Sequence, residues 1–209
     1  MRRAFDPGLC LVIGPDVTLG RDPVAVTLAA LRGGVTMVQV RWKDAVTRDL
    51  MGLTHRLLAL TLRHGVPLIV NDRVDVAHAA GADGVHVGQG DLDPRIARAM
   101  LGPSAIIGLS VEKPDQVSTC DPAVVDYAGL GPVFGTATKP DHAPPLGIDG
   151  FRTVRAQLGL PVMAIGGVDA GNAAALRAAG AEGLAVVSAI CGAASPEMAA
   201  RSLRQSFAR

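Results

Sequence analysis

The residues best suited to chemistry lie in one stretch, residues 66–91, VPLIVNDRVDVAHAAGADGVHVGQGD. An apolar run over residues 66–70 ends in Asn71-Asp72, and a second over residues 84–87 ends in Gly88-Gln89-Gly90-Asp91. Each run delivers a carboxylate just past its C-terminal end. Neighbouring parallel strands lie about 5 Å apart, so Asp72 and Asp91 can share one cation. Mg²⁺ suits such a pair, because it takes one or two carboxylates and leaves positions for substrate phosphate oxygens. The competing reading makes both acids N-caps of the helices that follow, a role Asp fills well.

These two acids need a framework that brings strand ends together. Short apolar runs recur at residues 9–13, 35–40, 66–70, 84–87, 105–109, 124–130, 161–165 and 184–187. Segments with helical spacing separate and follow them, at residues 23–31, 47–63, 74–80, 94–100, 113–119, 148–158, 171–179 and 196–207. Strands rich in Val, Ile and Leu without alternation belong to a parallel sheet covered by helices. Eight β-α units in 209 residues predict an α/β protein, a single (β/α)₈ TIM barrel spanning residues 1–209. A doubly wound open sheet is the competitor, but the first turn, Gly14-Pro15-Asp16, lacks its glycine-rich fingerprint. Residues 77–89, AHAAGADGVHVGQ, are echoed 99 positions later by residues 176–188, LRAAGAEGLAVVS. Common ancestry of two half-barrels and convergent helix-to-strand turns both account for the echo; either way it reinforces strands four and eight.

Composition narrows the function. Apolar residues make up 49% of the chain, aromatics 3%, and the formal charge is +1. That balance gives no broad field for nucleic acid or an anionic membrane. No run reaches the ~20 apolar residues of a membrane span, and the amino-terminal apolar run stops too soon for a signal peptide. Cys10, Cys120 and Cys191 show no paired spacing, so free, buried thiols in a reducing cytoplasm are expected. Oligomeric state is left open.

Active sites of such barrels lie at the C-terminal strand ends, and polar residues gather there. Gln39, Arg41 and Lys43 follow strand two, Asn71 and Asp72 strand three, Gln89 and Asp91 strand four, and Ser110 strand five. Thr136, Thr138 and Lys139 follow strand six, Gly166-Gly167 strand seven, and Val187-Ser188 strand eight. Gln39, Arg41 and Lys43 alternate along an extended segment, so their side chains point the same way. An Arg fork and a mobile Lys charge suit a diphosphate. Gly166-Gly167 and Val187-Ser188 suit a second phosphate held by backbone N–H groups. Among the histidines, His86 reads as a satisfied interior residue, and His55, His64, His78 and His142 form no metal cluster. The irregular stretch at residues 131–147 is expected to be a lid or binding loop.

The motifs QVRWK (39–43), VNDRVDVA (70–77), GADGVHVGQGD (81–91), GLS (108–110), DYAGLGPVFGTATK (126–139), AIGGV (164–168) and GLAVVSAI (183–190) together resemble the thiamine-phosphate synthase family. The resemblance implies a (β/α)₈ barrel that joins a pyrimidine diphosphate to a thiazole phosphate, releasing diphosphate. It implies that Gln39, Arg41, Lys43, Asn71 and Lys139 hold the pyrimidine diphosphate and that Asp72 and Asp91 ligate Mg²⁺. Ser110 contacts the pyrimidine, while Thr136, Thr138, Gly167, Val187 and Ser188 receive the thiazole phosphate. Arg41, Lys43, Lys139 and Ser110 are the expected catalytic residues. Val40, Trp42 and Ala137 fall inside the same motifs and are carried with them as substrate-contacting positions. Two departures stand out: Cys10 and Ile13-Gly14 in strand one, which the family usually opens with an aromatic and closes with Thr-Asp, and Trp42 where it usually has an acid. A thiazole tautomerase, a non-catalytic binding barrel and another phosphate-binding barrel isomerase are the rival readings. Retention of Asp72, Asp91 and Lys139 argues for the synthase.

Overall fold

A computed structural model describes residues 4–136 and 143–208. Eight parallel strands close in sequence order: β1 (Leu9–Ile13), β2 (Met37–Val40), β3 (Leu68–Asn71), β4 (Gly84–Val87), β5 (Ile106–Val111), β6 (Tyr127–Leu130), β7 (Val162–Ile165) and β8 (Gly183–Val186). Strand β8 pairs back onto β1, Leu9 against Leu184. The expected barrel is what forms, and no open-sheet edge remains among these strands.

Alternation along each strand divides the apolar residues between two cores. Inward positions form a small cluster of Cys10, Val12, Met37, Ile69, Ile106, Tyr127, Met163 and Ala185. Outward positions such as Leu11, Val38, Val40, Leu68, Val70, Val85 and Ile107 join a larger layer under the helices. Helix α1 (Pro23–Arg32) starts at an Asp22 cap with Pro at its first position, which fits both residues' preferences. Helix α2 (Thr47–Arg63) buries Leu50, Leu53 and Leu57 at spacings of three and four, one face of a helical period. Then come α3 (Val74–Ala80), α4 (Pro94–Leu101), α5 (Gly147–Arg155), α6 (Ala173–Ala178), the one-turn α7 (Ser188–Cys191) and α8 (Pro196–Phe207).

The segment expected as a helix at residues 113–119 is a 3₁₀ helix, Pro114–Thr119. Several strands are shorter than their apolar runs: residues 35–36 and 124–126 enter the barrel as loop rather than ladder. Val35 and Val125 there are buried core residues, which hydropathy alone does not distinguish from strand. The echo at 99 residues is structural as well, since β4 begins at Gly84 and β8 at Gly183. A Cβ at either glycine would lie about 2 Å from a neighbouring carbonyl oxygen, that of Ile106 or of Pro7. No described helix is long and apolar enough to cross a membrane.

Candidate active site

At the C-terminal ends of the strands the barrel opens into a cavity with one polar wall and one largely apolar wall. Gln39, Arg41 and Lys43 enter from β2, Asn71 and Asp72 from β3, Asp91 from the loop after β4, and Ser110 and Glu112 from β5. The other wall is made by Val12 and Ile13 of β1 with Val17 beyond it, Ile165 at the end of β7 with the following Gly166 to Val168, and Val187 and Ser188 after β8.

The two carboxylates form the electrostatic centre. Asp72 and Asp91 lie in side-chain hydrogen-bond contact. Burial first, and then Asp91 beside it, push Asp72 up from 3.8 to about 6, against the opposing pull of Lys43 and Arg41. Asp72 also holds a left-handed backbone, φ 61°, one of only two such non-glycine residues among those described. A conformation of this kind costs roughly 1–2 kcal/mol and marks a place where the surroundings fix the residue. Its N–H donates to the His86 carbonyl, 2.8 Å away, which pins the turn to β4.

Neither acid caps a helix. Helix α3 has Arg73 at its N-cap with no side-chain bond. Helix α4 is capped by Asp93, whose carboxylate accepts the Arg95 N–H at 2.7 Å. Asp91 makes one local bond, accepting the Gly88 N–H at 2.7 Å. So the capping explanation fails for both, and two crowded carboxylates remain facing Arg41 and Lys43. Among the described residues no cluster of three or more metal-ligating side chains forms. Two carboxylates with open space beside two cations match the donor set Mg²⁺ uses when phosphate oxygens complete its sphere.

Strand one's departure has a geometric reason. A Cβ at Gly14 would stand 2.2 Å from the Arg41 carbonyl, so glycine lets the β2 rim close against β1. The Arg41 N–H donates to the Ile13 carbonyl at 2.8 Å and completes that seam. At the opposite wall, Gly166 and Gly167 both have positive φ, 91° and 63°, and a Cβ at Gly167 would come within 2.7 Å of the Gly135 carbonyl oxygen. Asn172 Nδ2 donates to the Gly167 carbonyl at 2.9 Å and fixes the loop.

Of the positions expected from the sequence, Gln39, Arg41, Lys43, Asn71, Asp72, Asp91, Ser110, Thr136, Gly167, Val187 and Ser188 all line the one cavity. Val40 does not: it points outward and is fully buried under the helices. Trp42 is likewise turned away, partly buried against the outer layer in a surface cleft with Pro15, Pro23 and Leu53. Alternation along the β2 segment sends both to the outside, so the motif's inclusion of them does not translate into side-chain contact. Gln89 leaves the rim as well, donating to the Ser110 carbonyl at 2.7 Å and to Thr119 Oγ1 at 3.1 Å. Ala137, Thr138, Lys139 and His142 lie outside the described residues, and with them the middle of the 131–147 loop. Its two feet are anchored, Val133 N–H to Ile165 and Gly147 N–H to Val133, both at 2.9 Å.

Val12, Val17, Glu112, Gly129, Ile165 and Ala185 also line the cavity and escaped the sequence reading. Alternation was the available signal, since Val12 is two residues from inward Cys10, and Glu112 two from Ser110. His86 is a satisfied interior histidine, as expected, yet it also forms part of the cavity floor. Its Nδ1 lies 3.1 Å from Tyr127 Oη and its Nε2 2.9 Å from Ser110 Oγ. Burial drives it down to about 4, so the ring is neutral at neutral pH.

Comparison with known proteins follows this geometry. The family model described as thiamine monophosphate synthase matches residues 9–190. The thiamine-phosphate synthase of Azorhizobium caulinodans is 47% identical over 204 residues, covering 98% of this chain and 96% of that one. The corresponding protein of Chloroflexus aurantiacus is 46% identical, covering 94% and 90%. Among solved structures, thiamine phosphate pyrophosphorylase from Pyrococcus furiosus superposes with a TM-score of 0.87 at 33% identity, covering 97% of this chain and 96% of that one.

Proposed function

The chain belongs to the thiamine monophosphate synthase family, and on that premise we propose how its cavity carries out the reaction. The substrates are 4-amino-2-methyl-5-(diphosphooxymethyl)pyrimidine and 4-methyl-5-(2-phosphooxyethyl)thiazole, and the products thiamine monophosphate and diphosphate. The observation that carries this reading is the Asp72–Asp91 pair facing Arg41 and Lys43 across one rim.

Asp72 and Asp91 would hold Mg²⁺, which when bound supplies positive charge to the diphosphate oxygens. Arg41 and Lys43 take up the rest of that charge, Gln39 and Asn71 orient the leaving group, and the family motif adds Lys139. The carbon–oxygen bond to the pyrimidine methylene breaks with both electrons leaving on the diphosphate. The thiazole nitrogen then forms the new carbon–nitrogen bond with its lone pair. Thr136, Gly167, Val187 and Ser188 would receive the thiazole phosphate, where left-handed glycines bring backbone close to a ligand.

No covalent nucleophile is needed, and the chain's candidates fit none. Burial raises the thiols of Cys10 and Cys191 to about 12, so neither is a thiolate at neutral pH. Neutral His86 on the floor adds no positive charge beside the forming pyrimidine cation. The apolar wall of Val12, Ile13, Val17 and Ile165 keeps water from the cation. Preorganised charge at the leaving group then supplies the main catalytic effect, with single donors contributing about 3–4 kcal/mol in comparable sites.

Incubating the purified protein with both substrates tests this directly. Thiamine monophosphate and diphosphate should appear in equal amounts with Mg²⁺ and stop with excess EDTA. Undiminished coupling in EDTA would remove the metal assignment, and no coupling under any condition would remove the reaction.

A further inference from the structure

Behind Val187 and Ser188 stands an arginine that does not itself line the cavity, Arg21. It belongs to the loop over residues 14–22, between β1 and α1, which supplies Val17 to the cavity wall. Inside this loop Thr18 is fully buried, and its hydroxyl donates to the Arg21 carbonyl at 2.8 Å. The Arg21 N–H returns a bond to the Thr18 carbonyl at 3.1 Å. That closes a four-residue turn in which Leu19 and Gly20 are both left-handed, at φ 54° and 77°. Such a backbone is unfavourable for leucine, and the Leu19 side chain is 75% exposed. Its own packing does not hold the turn, so the surroundings must.

The Arg21 side chain is the anchor. Its Nε donates to the Thr18 carbonyl at 3.2 Å, its Nη1 to the Ala193 carbonyl at 2.8 Å, and its Nη2 to the Cys191 carbonyl. The last two acceptors lie at the end of α7, where a helix leaves carbonyls without partners of its own. Helix α7 needs such help. It is a single turn, closed by Cys191 N–H to the Val187 carbonyl at 2.8 Å and Gly192 N–H to the Ser188 carbonyl at 2.7 Å. One turn alone does not persist in water. A planar guanidinium across its last carbonyls supplies hydrogen bonds and the charge that suits a helix C-terminus. The other end of this turn is Val187-Ser188, on the cavity.

We infer that Arg21 is a positioning residue: it clamps α7 to the β1 loop, and so holds Val187 and Ser188 in place for the phosphate of the second substrate. That this substrate is the thiazole phosphate rests on the synthase reading; the clamp does not. Arg41 and Lys43 follow from β2, and Asp72 and Asp91 from β3 and β4, so α7 carries none of the diphosphate residues. Loss of the clamp is therefore felt by one substrate and not by the other.

Arg21→Ala removes the guanidinium without touching the cavity lining. Hydrogen exchange at the Cys191 and Gly192 amides should quicken about tenfold, the effect of one bond to a charged group, while the strand amides keep their rates. KM for the thiazole phosphate should rise about tenfold as well, with KM for the pyrimidine diphosphate and the Mg²⁺ requirement unmoved. Arg21→Lys keeps the charge and loses the planar fork, so its values should fall between. Equal rises in both KM values, or faster exchange throughout the barrel, would mean a general scaffold role and overturn the inference. A thiazole-phosphate KM indifferent to the substitution would overturn it too. Calorimetry with the thiazole phosphate alone separates the clamp from the synthase reading. A protein that never couples the substrates, yet binds this one about tenfold more weakly without Arg21, keeps the clamp and loses the synthase reading. Coupling with the same thiazole-phosphate affinity in both forms does the opposite, and no binding to the wild type removes both. Should Arg21→Ala fail to fold, Arg21→Lys decides by the same ratio of the two KM values.

Discussion

Carboxylates stand at both ends of the barrel, and the two ends treat them differently. At the N-terminal end, Asp83, Asp126 and Glu182 each precede an even-numbered strand and accept the N–H of Leu68, Ile107 or Val162 on the preceding odd one, at 2.8, 2.7 and 2.9 Å. Thr36 does the same for Leu9 with its hydroxyl, at 2.9 Å. In each case the same residue's backbone N–H returns a bond to that partner's carbonyl. Arg98 and Arg155 then neutralise Asp126 and Glu182. At the C-terminal end, Asp72 and Asp91 face each other, and Asp72 is pushed up to about 6. Lower acids close the barrel; upper acids are left with charge to give to a cation. Position along the strand, rather than residue type, assigns the role.

The sharpest way to break this contrast is to neutralise one acid at each end. Asp72→Asn should lower turnover by orders of magnitude, measured as thiamine monophosphate formed with saturating Mg²⁺. Its fold should not suffer. Because folding raises Asp72 from 3.8 to about 6, its contribution to stability is full below pH 3.8 and is lost as pH rises through about 6. At pH 7.5 the ionised Asp72 opposes the metal-free fold, so Asp72→Asn should melt no lower than wild type in EDTA. Asp126→Asn should do the reverse. It breaks a 2.6 Å pair with Arg98 whose side chains are 7% and 16% exposed, which costs about 3 kcal/mol by urea unfolding, while turnover per folded molecule holds.

A smaller effect sharpens the upper end alone. Mg²⁺ should raise the melting temperature at pH 7.5, by about 1.4 kcal/mol of added stability at tenfold over its Kd. That gain should fade as pH drops through about 6, where protons compete for Asp72. Smallest of all, Asp93→Ala removes the α4 cap two residues from Asp91. It should cost about 1 kcal/mol and leave Mg²⁺ dependence intact, separating the capping acid from its neighbour.

Much of this was readable in the chain, and the failures have physical causes. Eight apolar runs marked the eight strands because buried parallel strands are apolar on both faces. Most of the polar residues that line the cavity were found from strand ends, since a barrel gathers those at one rim. What the one-dimensional pattern could not settle was whether Asp72 and Asp91 cap helices. Asp93 looks the same in sequence and is a cap; only the turn geometry after β3 and β4 separates the three. Val40 and Trp42 were carried by a motif whose side chains alternate between cavity and helix layer. Asp83 and Glu182 stood at equivalent places in the 99-residue echo, Ala-Asp-Gly and Ala-Glu-Gly. Their shared duty toward Leu68 and Val162 became visible only when the strands were paired. His86 and Ala185 occupy the same echo position, 99 residues apart, and both face the cavity. One half-barrel thus brings a polar floor and the other an apolar one from the same backbone plan.

The account turns on a metal held between residues 72 and 91 and bridged to a diphosphate. Anomalous diffraction from crystals soaked with Mn²⁺ and inorganic diphosphate addresses that point with no dependence on turnover. A single strong peak should lie between the Asp72 and Asp91 carboxylates, with diphosphate oxygens completing its sphere on the Arg41 and Lys43 side. Manganese bound elsewhere, or diphosphate seated on Arg41 and Lys43 with no metal at the two acids, would contradict it.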